Sequence, residues 1–295
     1  MKASILGLIG NTPIVRLGRL AGGGMAEVYV KLEYLNPTGS HKDRIAYYMI
    51  RDAEERGLIE PGDTVVEASS GNTAISVAWV SSLLGYRAEI FVEKGTSQVK
   101  IGLIKALGAR VVEAEEESYA EAARRYAEEH GYLFLNQYEN EANVRAHYET
   151  TGPEIYRQLG GRIDAFVMGI GTGGTISGVG RFLKEKLGEG VKIVGVVPRG
   201  SRIAGGEGAE RIEGLASDIV PGIWRRYGHV VSEVIEVGFD EALQTMKTLL
   251  RSEGILGGLS TGANVYAAMR VAERLTKGVV ATIAPDTILR YPHIL

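Results

Sequence analysis

The 295-residue chain contains no cysteine. That excludes a disulfide framework, a thiolate zinc site and a cysteine nucleophile. Its five histidines are never paired at the helical spacing of a metal-binding motif. There is no excess of positive charge: Lys and Arg total 33 against 36 Asp and Glu, a net charge of −3. The pairs Arg124-Arg125 and Arg225-Arg226 are too few for a nucleic-acid patch. No apolar run reaches the 18 residues that a membrane span needs. Gly10-Asn11-Thr12-Pro13 breaks any signal-peptide pattern, so a cytoplasmic enzyme is expected, with no nucleic-acid or membrane partner.

Glycine is abundant instead, at 40 residues, well above the usual ~7%. The glycines sit at the ends of apolar runs rather than in a low-complexity tract. That suits tight turns and close approach of backbone to a ligand. With 45% hydrophobic residues, the chain can bury a full core.

Strand-like runs alternate with helical periods. Thr64–Glu67, Ala88–Val92, Val111-Val112 and Leu133–Leu135 read as strands. Helices are predicted at Ala74–Leu84, Val99–Leu107 and from Ser118 to about Glu129. The pattern repeats with strands at Ala165–Met168, Lys192–Val197, Val234–Val237 and Val279–Ile283. The matching helices are Thr175–Leu187, Asp240–Ser252 and Val265–Leu275. Such alternation predicts an α/β protein of two domains, with parallel-rich sheets and crossover helices. Residues 199–221 show no periodicity, and a loop that long is usually functional.

Asn36-Pro37-Thr38-Gly39-Ser40-His41-Lys42-Asp43-Arg44 hands the chain to a helix. Ser40 is a good N-cap, which places Lys42 in the first turn, near the positive end of the helix dipole. A lysine with a lowered pKa there could attack a carbonyl. Gly169-Ile170-Gly171-Thr172-Gly173-Gly174-Thr175 joins a strand to a helix. Its converging N–H groups predict a phosphate cradle. It lacks the Gly-Lys-Ser/Thr of a Walker loop and the strict dinucleotide spacing. Ser69-Ser70-Gly71-Asn72-Thr73, at another strand–helix junction, suits a carboxylate. Gly257-Gly258-Leu259-Ser260-Thr261-Gly262 is a third such junction. A reactive lysine, a phosphate cup and a neutral hydroxyl for a ring nitrogen together describe a site for pyridoxal phosphate (PLP).

These stretches, with Gly10–Pro13, Asn136-Gln137-Tyr138 and His147–Glu154, fall in the order and spacing of the cysteine synthases. Over essentially its whole length the chain resembles the O-acetylserine sulfhydrylase and cystathionine β-synthase family. The resemblance implies a fold-type II PLP enzyme, similar to the tryptophan synthase β-subunit. It further implies a smaller, mobile domain at 41–147 and a larger PLP-phosphate domain from 1–40 plus 148–295. Lys42 would hold PLP as a Schiff base and move the α-proton. Asn72 would bind the cofactor 3-hydroxyl. Gly171, Thr172, Gly173, Gly174 and Thr175 would hold its phosphate, and Ser260 its pyridine nitrogen. Ser69, Ser70, Asn72, Thr73 and Gln137 would take the substrate carboxylate. The implied reaction makes L-cysteine from O-acetylserine or O-phosphoserine and sulfide, through an aminoacrylate, in a homodimer. Ser69 stands where the family usually has threonine, Ala68 where it has proline and Ala74 where it has glycine. His147 is expected to be a packing or hydrogen-bonding residue. Arg199, Arg202 and Arg211 are candidates for binding a phosphate leaving group. Condensation of serine with homocysteine, serine or threonine dehydration, and cofactor binding without turnover stay open as alternatives.

Overall fold

Apolar runs that do not alternate mark strands covered on both faces. Val65-Val66, Ile90–Val92, Ala165–Met168 and Val279–Ala284 are such runs, and all are buried within strands of the computed structural model. The structure describes residues 4–114, 118–216, 218–291 and 294. Its strands are β1 (Ile14–Arg16), β2 (Glu27–Leu32), β3 (Thr64–Ala68), β4 (Arg87–Glu93), β5 (Arg110–Ala114), β6 (Leu133–Phe134), β7 (Ala165–Gly169), β8 (Lys192–Pro198), β9 (Glu233–Val237) and β10 (Val279–Ala284). Its helices are α1 (Lys42–Glu55), α2 (Asn72–Leu84), α3 (Gln98–Ala106), α4 (Tyr119–His130), α5 (Glu141–Ala146), α6 (Gly152–Gln158), α7 (Gly174–Leu187), α8 (Gly222–Tyr227), α9 (Phe239–Thr248) and α10 (Leu259–Leu275). None of the described helices is long and apolar enough to cross a membrane.

The chain divides into two compact units. The smaller comprises residues 42–143 and the N-terminal stretch through Ile9. The family resemblance places that stretch with the larger domain; the left-handed pair Gly10 (φ 85°) and Asn11 (φ 48°) turns the chain just after it. The sheet of this unit has the order β5-β4-β3-β6, parallel throughout. Its central strand β3 is buried at every position. The loops that follow β3 and β6 therefore lie side by side at the carboxyl edge, where parallel sheets bind ligands.

The larger unit comprises residues 10–41 and 144–295. Its sheet has the order β1-β2-β10-β7-β8-β9, with β1 antiparallel to β2 and the other pairs parallel. Val28, Val30, Val194 and Val280 on one face pack with Ala263, Ala267 and Val271 of α10. Phe166, Ile193 and Ile283 on the other pack with Ile176, Val179 and Leu183 of α7. Gly262 allows α10 to approach α9 closely, since a Cβ there would collide with the Ala242 carbonyl.

A buried ionic network closes this unit. Lys31 has no exposed surface. Its Nζ bonds the Thr12 carbonyl at 2.8 Å, Gln158 Oε1 at 3.0 Å and Glu154 at 2.8 Å. Thr12 Oγ1 donates to Glu33 at 2.5 Å, and Asn36 Nδ2 donates to Glu33 at 2.9 Å. Residues from the Gly10–Pro13, Asn36 and Gly152–Glu154 motifs thus share one network. Removing either partner of such a buried pair costs about 3–5 kcal/mol.

Two predicted boundaries shift. Helix α1 begins at Lys42 itself, because the Ser40 backbone pairs with Asp286. Ser40 therefore precedes the N-cap position rather than filling it. Helix α10 begins at Leu259, six residues before the predicted Val265. The hydroxyl-rich Ser260-Thr261 segment lacks an apolar period, yet it is buried in a helical turn.

Candidate active site

In the smaller unit, Lys42 opens α1. The adjacent Asp43 is buried and accepts a hydrogen bond from Ser76 Oγ at 2.7 Å. That bond ties the first turn of α1 to α2, the helix that begins with Asn72 and Thr73. The loop between β3 and α2 is held at each hydroxyl. Ser69 Oγ accepts the Gly71 N–H at 3.2 Å, and Ser70 Oγ accepts the Glu93 N–H at 2.8 Å. Thr73 Oγ1 donates to Gln137 Oε1 at 2.6 Å. Gln137 Nε2 reaches the Ala68 carbonyl at 3.4 Å. The expected carboxylate residues of this unit are thus gathered at the start of one helix, where the dipole favours an anion.

The structure adds a residue that sequence reasoning missed here. Glu67 ends the apolar run of β3 and is fully buried. Its Oε1 accepts the Ala68 N–H at 2.8 Å, and its Oε2 accepts the Gln137 N–H at 3.3 Å. Burial pushes its pKa up to about 8, against the pull of those two N–H groups and of the Lys42 charge. A charged residue in a doubly covered strand was the available signal.

In the larger unit, the glycine loop lies between β7 and α7. Gly173 is left-handed (φ 88°) at the N-cap position of α7. Gly171 has no room for a side chain, since a Cβ would stand 2.5 Å from the Gly214 carbonyl. The backbone at Gly214 thereby packs against the glycine turn. Nearby residues are pinned as well: the Ala216 N–H donates to the Ile170 carbonyl at 2.8 Å, and Ser201 Oγ donates to the Ala216 carbonyl at 2.9 Å. Gly214 also faces Ser260, whose Oγ would lie 3.7 Å from a Cβ at that position. The Gly171–Thr175 turn, the expected phosphate cradle, and Ser260 therefore both lie against Gly214 within this unit.

His147 packs against the end of the glycine turn. It is fully buried and lies on a π-helical stretch, His147–Thr151, a distortion frequent at functional sites. Its Nε2 is 3.1 Å from Thr175 Oγ1 and its Nδ1 is 2.9 Å from Thr151 Oγ1. The imidazole fixes the Thr175 hydroxyl, so its hydrogen bond carries a positional role that the sequence motif left unspecified. The segment Pro285–Thr287 braces the same region. The His41 N–H donates to the Pro285 carbonyl at 2.9 Å, Ser40 pairs with Asp286, and Gly257 pairs with Thr287. One short stretch thus fixes the residues before Lys42 and those before Ser260.

Arg199 is committed elsewhere. Its guanidinium is forked between Glu210 at 3.2 Å and Glu241 at 2.8 Å.

The family model for pyridoxal-phosphate dependent enzymes matches residues 5–286. The chain belongs to this family. It is 43% identical to a cysteine synthase of Staphylococcus aureus over 98% of this chain and 94% of that one. It superposes on an O-ureido-L-serine synthase with a TM-score of 0.92 at 38% identity, covering 99% of this chain and 93% of that one. For O-acetyl serine sulfhydrylase isoform 3 from Entamoeba histolytica the TM-score is 0.93 at 30% identity, with 99% and 90% covered. The chain is a PLP-dependent enzyme of the cysteine synthase group, with the fold-type II architecture.

The residues present fit that cofactor. The turn Gly171–Thr175 offers main-chain N–H groups and two hydroxyls, with no carboxylate in the loop. The Ser177 and Thr261 hydroxyls, in the first turns of α7 and α10, are buried without a hydrogen-bond partner. Ser260, a neutral hydroxyl at a helix start, suits an aromatic nitrogen.

Proposed function

We propose that this enzyme makes L-cysteine by β-replacement, from O-acetylserine and sulfide. Lys42 would carry the cofactor. Asn72 would bind its 3-hydroxyl, Gly171–Thr175 its phosphate and Ser260 its ring nitrogen. The bound cofactor supplies an electron sink that makes the substrate α-proton acidic and its β-substituent labile. Ser69, Ser70, Asn72, Thr73 and Gln137 would bind and orient the α-carboxylate, with Ser69, Ser70, Thr73 and Gln137 already held by the hydrogen bonds above. The Lys42 amine would take the α-proton and return it after sulfide adds. Ser260, a hydroxyl rather than a carboxylate, would leave the ring nitrogen without an anionic partner, which would weaken the sink and suit elimination. Assembly as a homodimer belongs to the same proposal and rests on the family alone; sedimentation checks it.

The observation that carries the reading is the hydrogen-bonded joining of Gln137 to the Ser69–Thr73 loop in a member of the cysteine synthase group. The acetyl donor is favoured over the phosphate donor because Arg199 already spends its guanidinium on Glu210 and Glu241. The likeness to O-ureido-L-serine synthase supports a second reading, in which the same elimination is followed by a different nucleophile. The experiment supplies the PLP-loaded enzyme with O-acetylserine, O-phosphoserine or serine, each with sulfide, homocysteine or hydroxyurea. Products are identified by mass. Cysteine from O-acetylserine and sulfide is expected at the highest kcat/KM. A faster reaction with another pair replaces this assignment by that pair.

A further inference from the structure

Glu67 is a costly residue in its position. A carboxyl group in the interior strand of a covered sheet loses its hydration, and apolar residues fill the adjoining positions of β3, Val65, Val66 and Ala68. Each of its two oxygens nonetheless accepts a backbone N–H. One holds the N–H of Ala68, the last residue before the Ser69–Thr73 loop. The other holds the N–H of Gln137, on the neighbouring crossover. Gln137 is fixed at three more points. The Ala68 carbonyl takes its Nε2, Thr73 donates to its Oε1, and Asn143 Nδ2 donates to its carbonyl at 2.8 Å. A single carboxyl group therefore joins the two segments that carry every expected carboxylate ligand.

We propose that Glu67 is the positioning residue of the substrate-carboxylate pocket, holding the Ser69–Thr73 loop and the Gln137 amide in binding geometry before substrate arrives. The proposal rests on the reading of that loop and Gln137 as the carboxylate pocket. Electrostatics constrains its form. A permanent anion beside the pocket would repel the substrate carboxylate, whereas burial keeps Glu67 protonated up to about pH 8. The groups that face it are Lys42 from α1, which draws its pKa down, and Tyr138, bonded to Tyr119 of α4 and itself raised by burial. As pH rises through about 8, Glu67 ionises and carboxylate affinity falls.

The test uses glycine, which has the α-carboxylate but no β-leaving group. Glycine binding to the PLP-loaded enzyme is measured by calorimetry at about pH 6.5 and about pH 9, values that bracket the shifted carboxyl. The Glu67→Gln variant keeps the shape and stays neutral, but turns one acceptor into a donor facing an N–H group. At the lower pH it binds glycine about tenfold more weakly than the wild type. Its KM for the donor rises by a similar factor, while kcat changes by less than about threefold, as expected for lost uniform binding. The wild type loses affinity between the two pH values, and the variant does not. The Glu67→Asp variant keeps the carboxyl group but is too short to span both N–H groups, so it too binds glycine weakly. Wild-type affinity and pH dependence in Glu67→Gln overturn the proposal, as does a collapse of kcat at unchanged KM. If that variant does not fold, wild-type KM in Glu67→Asp overturns it. A wild type that turns over a donor but binds no glycine at either pH sinks the carboxylate-pocket reading itself.

Discussion

The two turns proposed to receive anions are built by different means. In the smaller unit the Ser69–Thr73 loop is held by side chains: Glu67, Gln137, Thr73 and Ser70 each make a hydrogen bond that sets its shape. In the larger unit the Gly171–Thr175 turn is held by exclusion, with backbone against backbone at Gly171 and Gly214. Side chains there add less: His147 fixes the Thr175 hydroxyl, and Thr172 Oγ1 accepts the Gly174 N–H at 3.3 Å within the turn itself. A side-chain network can change with protonation and can loosen one bond at a time. A steric seat cannot, because adding one methyl group costs a backbone shift. The first kind suits a group that arrives and leaves at every turnover, and the second a resident phosphate.

Substitutions can break this contrast. The largest effect is expected from Lys42→Ala, which removes the only group proposed to move the α-proton. Its kcat falls by at least about a thousandfold, measured with cofactor content matched to wild type. Next comes Gly171→Ala in the steric seat. Its added Cβ meets the Gly214 carbonyl, and PLP binds at least about tenfold more weakly, as followed by fluorescence titration. An equal effect from the mild Thr73→Ser in the other turn would erase the distinction drawn here.

His147→Ala is a smaller test of the same seat. It frees the Thr175 hydroxyl without touching the backbone, so PLP affinity falls by about threefold to tenfold. The pH dependence of stability separates the turns in another way. Glu67 keeps its proton in the fold from the ordinary 4.5 up to about 8, whereas the unfolded chain releases it near 4.5. The folded state therefore binds more protons in that window, and Glu67 makes stability fall as pH rises through it. Urea midpoints at the two ends of the window should differ less in Glu67→Gln than in wild type. The smallest effect is expected from Arg199→Ala. Its exposed ion pairs are worth about 0–1 kcal/mol, and the ratio of O-phosphoserine to O-acetylserine turnover stays unchanged. A selective loss with the phosphate donor would return Arg199 to the substrate site.

Some of this was legible in residues taken alone. Alternating strands and helices gave the α/β class, because uninterrupted runs such as Ala165–Met168 have no other economical burial. Glycine and hydroxyl clusters at strand–helix junctions pointed to anion-receiving turns, because only such residues leave N–H groups uncovered there. The start of α10 was not legible, since Ser260 and Thr261 are buried by packing that no local period records. Nor was the role of Glu67, for it depends on β3 and β6 being neighbours although 64 residues separate Thr73 from its partner Gln137. His147 likewise gains its meaning from Thr175, 28 residues away. Sequence by itself determined which chemical groups this enzyme has and which elements carry them, because composition and periodicity are local. Tertiary structure alone decided which carboxyl is buried, which hydroxyl is fixed and which arginine is already paired. Those properties come from neighbours brought together by folding.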